Sequence, residues 1–183
     1  MRVWTRQHVK VLEKINSDRR YVATPDIISL DMPEHMGIMM EVYSWLANNM
    51  PNRNIKPKDA VLPVWVTLQN ETAYLPAPDT NLLELEVDEK LLCYVNISKW
   101  GTILNYSYIA KDSKDDEEHT KLLRKYGTSD TVAYMSNFYP QIKSEIRKSW
   151  ARLFDDNILI NGNKDKYGLL WEIKKEWVVD VRE

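Results

Sequence analysis

The stretch from Leu83 to Asp88 reads LELEVD, so apolar and acidic side chains alternate without a break. Successive side chains of a β-strand point to opposite faces of its sheet. This period of two therefore predicts a strand with one buried apolar face and one solvated acidic face, which carries Glu84 and Glu86. Two carboxylates on one strand face could share a divalent cation. The acidic face of an alternating strand is usually only its solvent-exposed face, so we expect no metal there.

Other short apolar segments predict further strands on both sides of this one. The stretch Trp100–Leu104 fits a helical turn equally well, which leaves the strand at Ile103 open. A turn at residues 161–163 suggests that the segments around it form a hairpin. The predicted strands are Val3–Trp4, Tyr21–Ala23, Val64–Leu68, Leu91–Ile97, Ile103–Ile109, Ile158–Ile160, Leu169–Ile173 and Trp177–Arg182.

Helical spacing of apolar residues predicts three helices, Arg6–Asn16 with Thr5 as candidate N-cap, Pro33–Asn49 and Pro140–Phe154. A fourth helix, Asp115–Tyr126, is predicted because acidic residues at its start favour the helix dipole and Gly127 can end it. Strands and helices alternate irregularly, and no repeat or low-complexity linker divides the chain. We expect one α+β domain over residues 1–183, with a mixed or antiparallel sheet and about four packed helices.

Composition describes a globular protein of 183 residues, with 44% hydrophobic and 28% charged residues. The 7 Trp and 10 Tyr against 2 Phe hint at an interaction surface, because Trp and Tyr combine apolar area with a polar group. The net charge of −2 does not favour phosphate binding by the whole protein. With neither a signal peptide nor an apolar run of about 20 residues, we expect a cytoplasmic protein that does not enter a membrane.

The residue inventory argues against several kinds of catalysis. Five glycines cannot supply a P-loop or a dinucleotide fingerprint. The histidines His8, His35 and His119 lie far apart, and Cys93 is the single cysteine, so no zinc motif is present. We therefore expect no catalytic residues, no cofactor and no metal, and Cys93 is interpreted as a small buried hydrophobe.

Two charged segments are candidates for binding. The acidic run is usually a solvated helix start, but it could also occupy a basic groove that normally holds nucleic acid. A basic run surrounds Trp150, which falls on the apolar stripe of its helix, so a solvated helix face is favoured over a nucleic-acid surface. The acidic run comprises Asp112, Asp115, Asp116, Glu117 and Glu118; the basic run comprises Lys143, Arg147, Lys148 and Arg152.

Six short motifs together resemble a bacterial and phage family known as domain of unknown function 3841. They span the chain, and their combination is specific although each piece alone is weak. The motifs are Val3–Gln7 (VWTRQ), Val42–Trp45 (VYSW), Pro63–Trp65 (PVW), Leu83–Val87 (LELEV), Trp100–Asn105 (WGTILN) and Ile146–Asp155 (IRKSWARLFD).

Some proteins that look like this family are anti-CRISPR inhibitors of the type II-A class, which block Cas9. The resemblance implies a non-enzymatic phage protein that binds Cas9, with or without its guide RNA, and prevents DNA binding or cleavage. It implies no sequence-specific contact with nucleic acid. The residues expected to contact the partner are those of the acidic run together with Glu84 and Glu86.

A fainter resemblance leads to a different class of function. A short strand, a Thr, and a helix leading to a second strand also open ADP-ribosyltransferase-like domains. In that arrangement Thr5 and Gln7 would touch a nicotinamide nucleotide, and Glu172 or Glu176 would stand where those enzymes carry a catalytic glutamate. The alternative is thus a nucleotide-binding or ADP-ribosyltransferase-like domain. A structural or toxin-antitoxin partner protein is a third, less specific interpretation.

Overall fold

The fold is described from a computed structural model, which covers residues 1–25, 36–70 and 77–182. It confirms the α+β class. The contacts cluster into two compact units. Unit 1 comprises Met1–Tyr94 and Lys166–Glu183, and unit 2 comprises Val95–Asp165.

Unit 1 is built on a six-stranded sheet. The described strands are β1 Arg2–His8, β2 Arg20–Tyr21, β3 Val64–Thr67, β4 Thr80–Glu86, β5 Cys93–Asn96, β6 Lys166–Leu170, β7 Ile173–Lys174 and β8 Val178–Arg182. The order in the six-stranded sheet is β5-β6-β3-β1-β4-β8. The central strand β1 pairs antiparallel with β4 along its whole length, from Arg2 opposite Glu86 to His8 opposite Thr80. Strands β2 and β7 form a separate two-stranded sheet.

Two helices of unit 1 follow the apolar spacing of the sequence, α1 (Val9–Asp18) and α2 (Met36–Asn49). Helix α1 buries Val11 and Ile15 in a core that includes Val3, Leu83 and Leu85 of the sheet. The predicted start of α1 at residue 6 is wrong, because residues 6–8 continue β1 and pair with β4. The predicted start of α2 at residue 33 lies outside the described residues.

Unit 2 contains four helices and a stack of three buried aromatic rings, with Tyr134 between Tyr106 and Trp150. The ring of Trp150 stacks on Tyr134 at 5.1 Å, and Tyr134 stacks on Tyr106 at 4.8 Å. The helices are α3 Ile97–Leu104, α4 Ser113–Tyr126, α5 Asp130–Met135 and α6 Pro140–Ser149, which continues as a 3-10 helix over Trp150–Phe154. The predicted helices in this part of the chain are confirmed, and so is the helical alternative for Trp100–Leu104, which lies within α3. Helix α5 comes in addition.

The predicted strands over Ile103–Ile109 and Ile158–Ile160 are wrong. Residues 103 and 104 end helix α3, whose first turn is capped by the side chain of Asn96, which accepts a hydrogen bond from Lys99 N. Residues 158–160 form no strand, since Leu169 pairs instead with Trp65 of β3. No helix among the described residues is long and apolar enough to span a membrane.

Candidate functional site

Helix α4 carries the acidic run, and local signals define both of its ends. The side chain of Asp112 accepts a hydrogen bond from Asp115 N at 2.8 Å and caps the first turn. Gly127 ends the helix with a φ of 60°, a left-handed conformation that glycine adopts easily. Carboxylates in the first turn also interact favourably with the helix dipole. The exposed members of the run are Asp112, Asp116, Glu117 and Glu118.

The exposed carboxylates of α4 are only weakly compensated by neighbouring lysines. Glu117 lies 4.0 Å from Lys121, and Glu118 lies 3.9 Å from Lys114. Exposed pairs of this kind contribute little, because water and salt screen them. Asp112 and Asp116 form no ion pair within the part of the chain that the structure describes. The start of α4 therefore presents negative charge to solvent.

Asp115 points inward from the same helix and is neutralised within unit 2. Its carboxylate accepts hydrogen bonds from Arg152 Nη1 at 2.7 Å and from the backbone N–H of Lys111 at 2.9 Å. The hydroxyl of Tyr108 donates to it at 3.1 Å, and the Arg152 guanidinium lies 5.2 Å from the Tyr108 ring centre. Asp115 therefore holds α4 in place, and its charge is not available to a partner.

These contacts predict a pH-dependent stability. Burial acts to raise the pKa of Asp115, but the hydrogen bonds from Lys111 and Tyr108 and the charge of Arg152 outweigh it and lower the pKa. A carboxyl whose folded-state pKa is depressed stabilises the fold above its unfolded pKa, and this contribution disappears as pH falls through the folded value. We expect the free energy of unfolding to fall below about pH 4. In Asp115→Asn the free energy of unfolding should fall less steeply with decreasing pH, which urea titrations at several pH values would measure. Equal dependence on pH in both proteins would show that Asp115 does not contribute in this way.

A second contact fixes α4 from its buried side. His119 is 8% exposed, and its Nε2 lies 2.6 Å from Asp130 Oδ1. The other oxygen of Asp130 accepts a hydrogen bond from Tyr108 N at 2.8 Å. The imidazole also stacks on the Tyr108 ring, with 4.0 Å between the centres. Together with Asp115, this cluster positions the exposed face of α4 on a rigid base.

A cleft of about 430 Å³ opens beside the first turn of α4. Asp112 and Asp116 supply carboxylates to its wall, and Leu159 and Ile160 supply apolar surface. No cluster of three or more possible metal ligands occurs among residues 1–25, 36–70 and 77–182. The arrangement is suited to receive a positively charged or polar group. The full lining is Thr102, Tyr108, Ala110, Lys111, Asp112, Ser113, Asp116, Leu159, Ile160 and Asn161.

The two acidic residues of β4 lie in unit 1 and differ from each other. Glu86 is exposed, as predicted. The prediction of a solvated position for Glu84 is wrong: it is 7% exposed, and its carboxylate binds Arg2 and, at 3.3 Å, Arg182. Both arginines extend from strands of the same sheet, β1 and β8, and they neutralise the carboxylate. Glu84 therefore acts inside the fold.

The residues named for the nucleotide-binding alternative also lie in unit 1. The hydroxyl of Thr5 is buried, donates to Trp65 O at 2.7 Å and accepts from Gln7 Nε2 at 2.8 Å. Glu172 is bound by Arg20 and lies 3.6 Å from Lys174. Glu176 is exposed in a 3-10 helix. The polar groups of Thr5 and Glu172 are thus already engaged within the fold.

Cys93 is expected to be unreactive. Its side chain lies in β5 and is 6% exposed, and burial raises the pKa of the thiol to about 12. The thiolate is the nucleophilic form, so very little is present near neutral pH. We predict that an aromatic disulfide reagent at pH 8 modifies no thiol in the native protein and one thiol after unfolding in urea. Rapid labelling of the native protein would contradict this.

Two features of unit 2 escape analysis of the sequence. Arg152 and Asp115 are 37 residues apart, and no local pattern indicates that they meet. Phe138 is 89% exposed and follows the exposed Val132 and Met135 at a spacing of three. The regular spacing of these three apolar residues between Gly127 and Pro140 is the signal in the sequence that could have indicated an exposed apolar surface in this segment.

Comparison with known proteins gives one match. The model of the family described as domain of unknown function (DUF3841) matches residues 2–179. No curated protein and no solved structure matches the chain.

Proposed function

The chain belongs to the DUF3841 family, whose description names no reaction, and we propose that it acts by binding a basic surface of another protein. The partner that we propose is Cas9. The exposed carboxylates at the start of α4 carry the proposal. These four residues, named here the acidic surface, are Asp112, Asp116, Glu117 and Glu118.

The acidic surface has the properties that a competitor of nucleic acid needs. It concentrates negative charge on the first turns of one helix, although the whole chain carries a net charge of only −2. Asp115 and His119 fix that helix from its buried side, so little ordering entropy is lost on binding. Cas9 holds its nucleic acids in positively charged channels and reads the adjacent DNA motif with arginines. A rigid acidic helix is complementary to such a surface.

Titration with purified components tests the proposal. Cas9, with and without guide RNA, is mixed with increasing amounts of the protein, and DNA binding and cleavage are measured at each ratio. We expect complete inhibition with a sharp end-point near equivalence. Loss of activity at far lower ratios, growing with time, would indicate an enzyme. No association at micromolar concentration would remove Cas9 as the partner.

The nucleotide-binding alternative is less well supported, because Thr5 and Glu172 already have partners within the fold. It is checked by thermal unfolding with NAD or ADP-ribose. A ligand that binds the folded state raises the melting temperature. An unchanged temperature at millimolar ligand would count against this function.

A further inference from the structure

Two aromatic rings are exposed near the far end of α4 from the acidic surface. Phe138 is 89% exposed and lies in the connection between α5 and α6. Tyr126, the last residue of α4, is 46% exposed, and its ring makes an edge contact with Tyr139 at 6.3 Å. Nothing within the described part of unit 2 covers the Phe138 ring to any large extent, so its faces are accessible to a planar partner.

Positive charge accompanies these rings. Arg124 and Lys125 lie in the last turn of α4, directly before Tyr126, and both are exposed. Lys125 Nζ lies 5.8 Å from the centre of the Tyr126 ring, and Lys143 Nζ lies 4.5 Å from that of Tyr134. An anionic partner is therefore favoured at this end of unit 2.

We propose that this end of unit 2 binds single-stranded nucleic acid without sequence preference. Its basic aromatic surface consists of Lys125, Tyr126, Phe138 and Lys143. Unpaired bases stack on exposed aromatic rings, and neighbouring ammonium groups neutralise the phosphates between them. The bases of a duplex are stacked on each other and cannot reach such rings, which selects a single strand.

Trp150, the aromatic residue within the basic run of the sequence, does not belong to this surface. Trp150 is 0% exposed, so its ring cannot stack on a base, and the Arg152 guanidinium is already bound to Asp115. Phe138 and Tyr126 supply the accessible rings instead. The carboxylates of an acidic protein could pair with the lysines equally well, but they would leave the exposed Phe138 ring without a stacking partner. A nucleic acid strand contacts both, because its phosphates pair with the lysines and its bases stack on the ring.

The stacking role of Phe138 is tested with a fluorescent oligothymidine of about 20 nucleotides at about 50 mM salt. Fluorescence anisotropy of the intact protein should show binding, and Phe138→Ala should weaken the affinity about tenfold. Phe138→Trp should restore it, because a larger ring stacks at least as well. The control Ile55→Ala removes an exposed apolar side chain of unit 1, outside both surfaces, and it should leave the affinity unchanged.

The charge contribution is tested through its salt dependence. For single strands the logarithm of the affinity falls with the logarithm of salt by about 0.7 for each phosphate neutralised. Lys125→Gln should therefore flatten this slope by about 0.7. Lys164→Gln, which removes the same charge from an exposed loop of unit 2, should leave the slope as it is.

Three results would overturn the inference. The first is no anisotropy change with up to about 50 μM protein, since even nonspecific binding reaches this range. The second is equal affinity of Phe138→Ala and the unchanged protein, which would exclude stacking. The third is displacement of the oligonucleotide by poly-glutamate as effectively as by unlabelled oligouridine, which would assign the surface to an acidic protein. None of these measurements involves Cas9, so the inference and the proposed function can fail separately.

Discussion

The Trp150→Ala variant is expected to lose about 3–5 kcal/mol of stability, the range found for truncating large aromatic side chains in protein cores. The Trp150 side chain is completely buried and stacks on Tyr134, which in turn stacks on Tyr106. Its Nε1 donates a hydrogen bond to Ser107 O at 3.0 Å, so truncation also leaves that carbonyl without this donor. A domain is typically stable by only about 5–15 kcal/mol, so a large part of the total would be lost.

Urea unfolding followed by near-ultraviolet circular dichroism measures this effect. The near-ultraviolet signal should fall because the stacked rings of unit 2 generate part of it. Trp150→Phe is the matched control: it keeps a ring in the stack but removes the N–H donor, and should cost less than half as much. A loss below about 1 kcal/mol in Trp150→Ala would show that the stack does not support unit 2.

The helices that sequence analysis predicts best have local signals at their ends. For α4, Asp112 marks the N-cap and Gly127 the C-cap, and for α6 Pro140 stands in the first turn. Each signal acts within a few residues, so the sequence alone is sufficient to read it. The position of the acidic run at the start of α4 could be predicted for the same reason, but the inward orientation of Asp115 could not.

The predictions are wrong where contacts between residues far apart in the sequence determine the local structure. The predicted first helix begins at Arg6 because Thr5 is a possible N-cap, but β4, more than 70 residues away, pairs with residues 6–8 and keeps them extended. The alternating pattern around Glu84 predicts a strand correctly but not the partners of its carboxylate. Those partners, Arg2 and Arg182, lie 82 and 98 residues away and close over it from neighbouring strands. Tertiary contacts of this kind override a local pattern.

The same distinction separates Asp115 from its neighbours. Sequence analysis gives no reason to separate the five acids of the run, because all of them lie at or just before the start of one predicted helix. Arg152 and Tyr108 then engage Asp115 alone. An internal ion pair leaves little charge for a partner, so the binding prediction applies to the other four residues.

Neutralising those four residues together should slow association with Cas9 by at least about tenfold. The variant combines Asp112→Asn, Asp116→Asn, Glu117→Gln and Glu118→Gln. Complementary charge raises the rate of encounter more than it slows dissociation, so the association rate should fall and its salt dependence should flatten. Asn caps a helix about as well as Asp, so α4 should keep its start. Stopped-flow or surface-based kinetics over a range of salt concentrations would measure both effects.

A control with the same change in net charge separates position from total charge. Glu13, Glu89, Glu145 and Glu176 are exposed and lie outside the run, so changing all four to Gln adds the same four units. If the acidic surface meets the partner, this control should associate at nearly the unchanged rate. If it slows association as much, long-range attraction of the whole chain is responsible. If neither variant slows association, the partner binds another face of the molecule, because removing charge from a desolvated, complementary contact cannot leave its encounter rate unaltered.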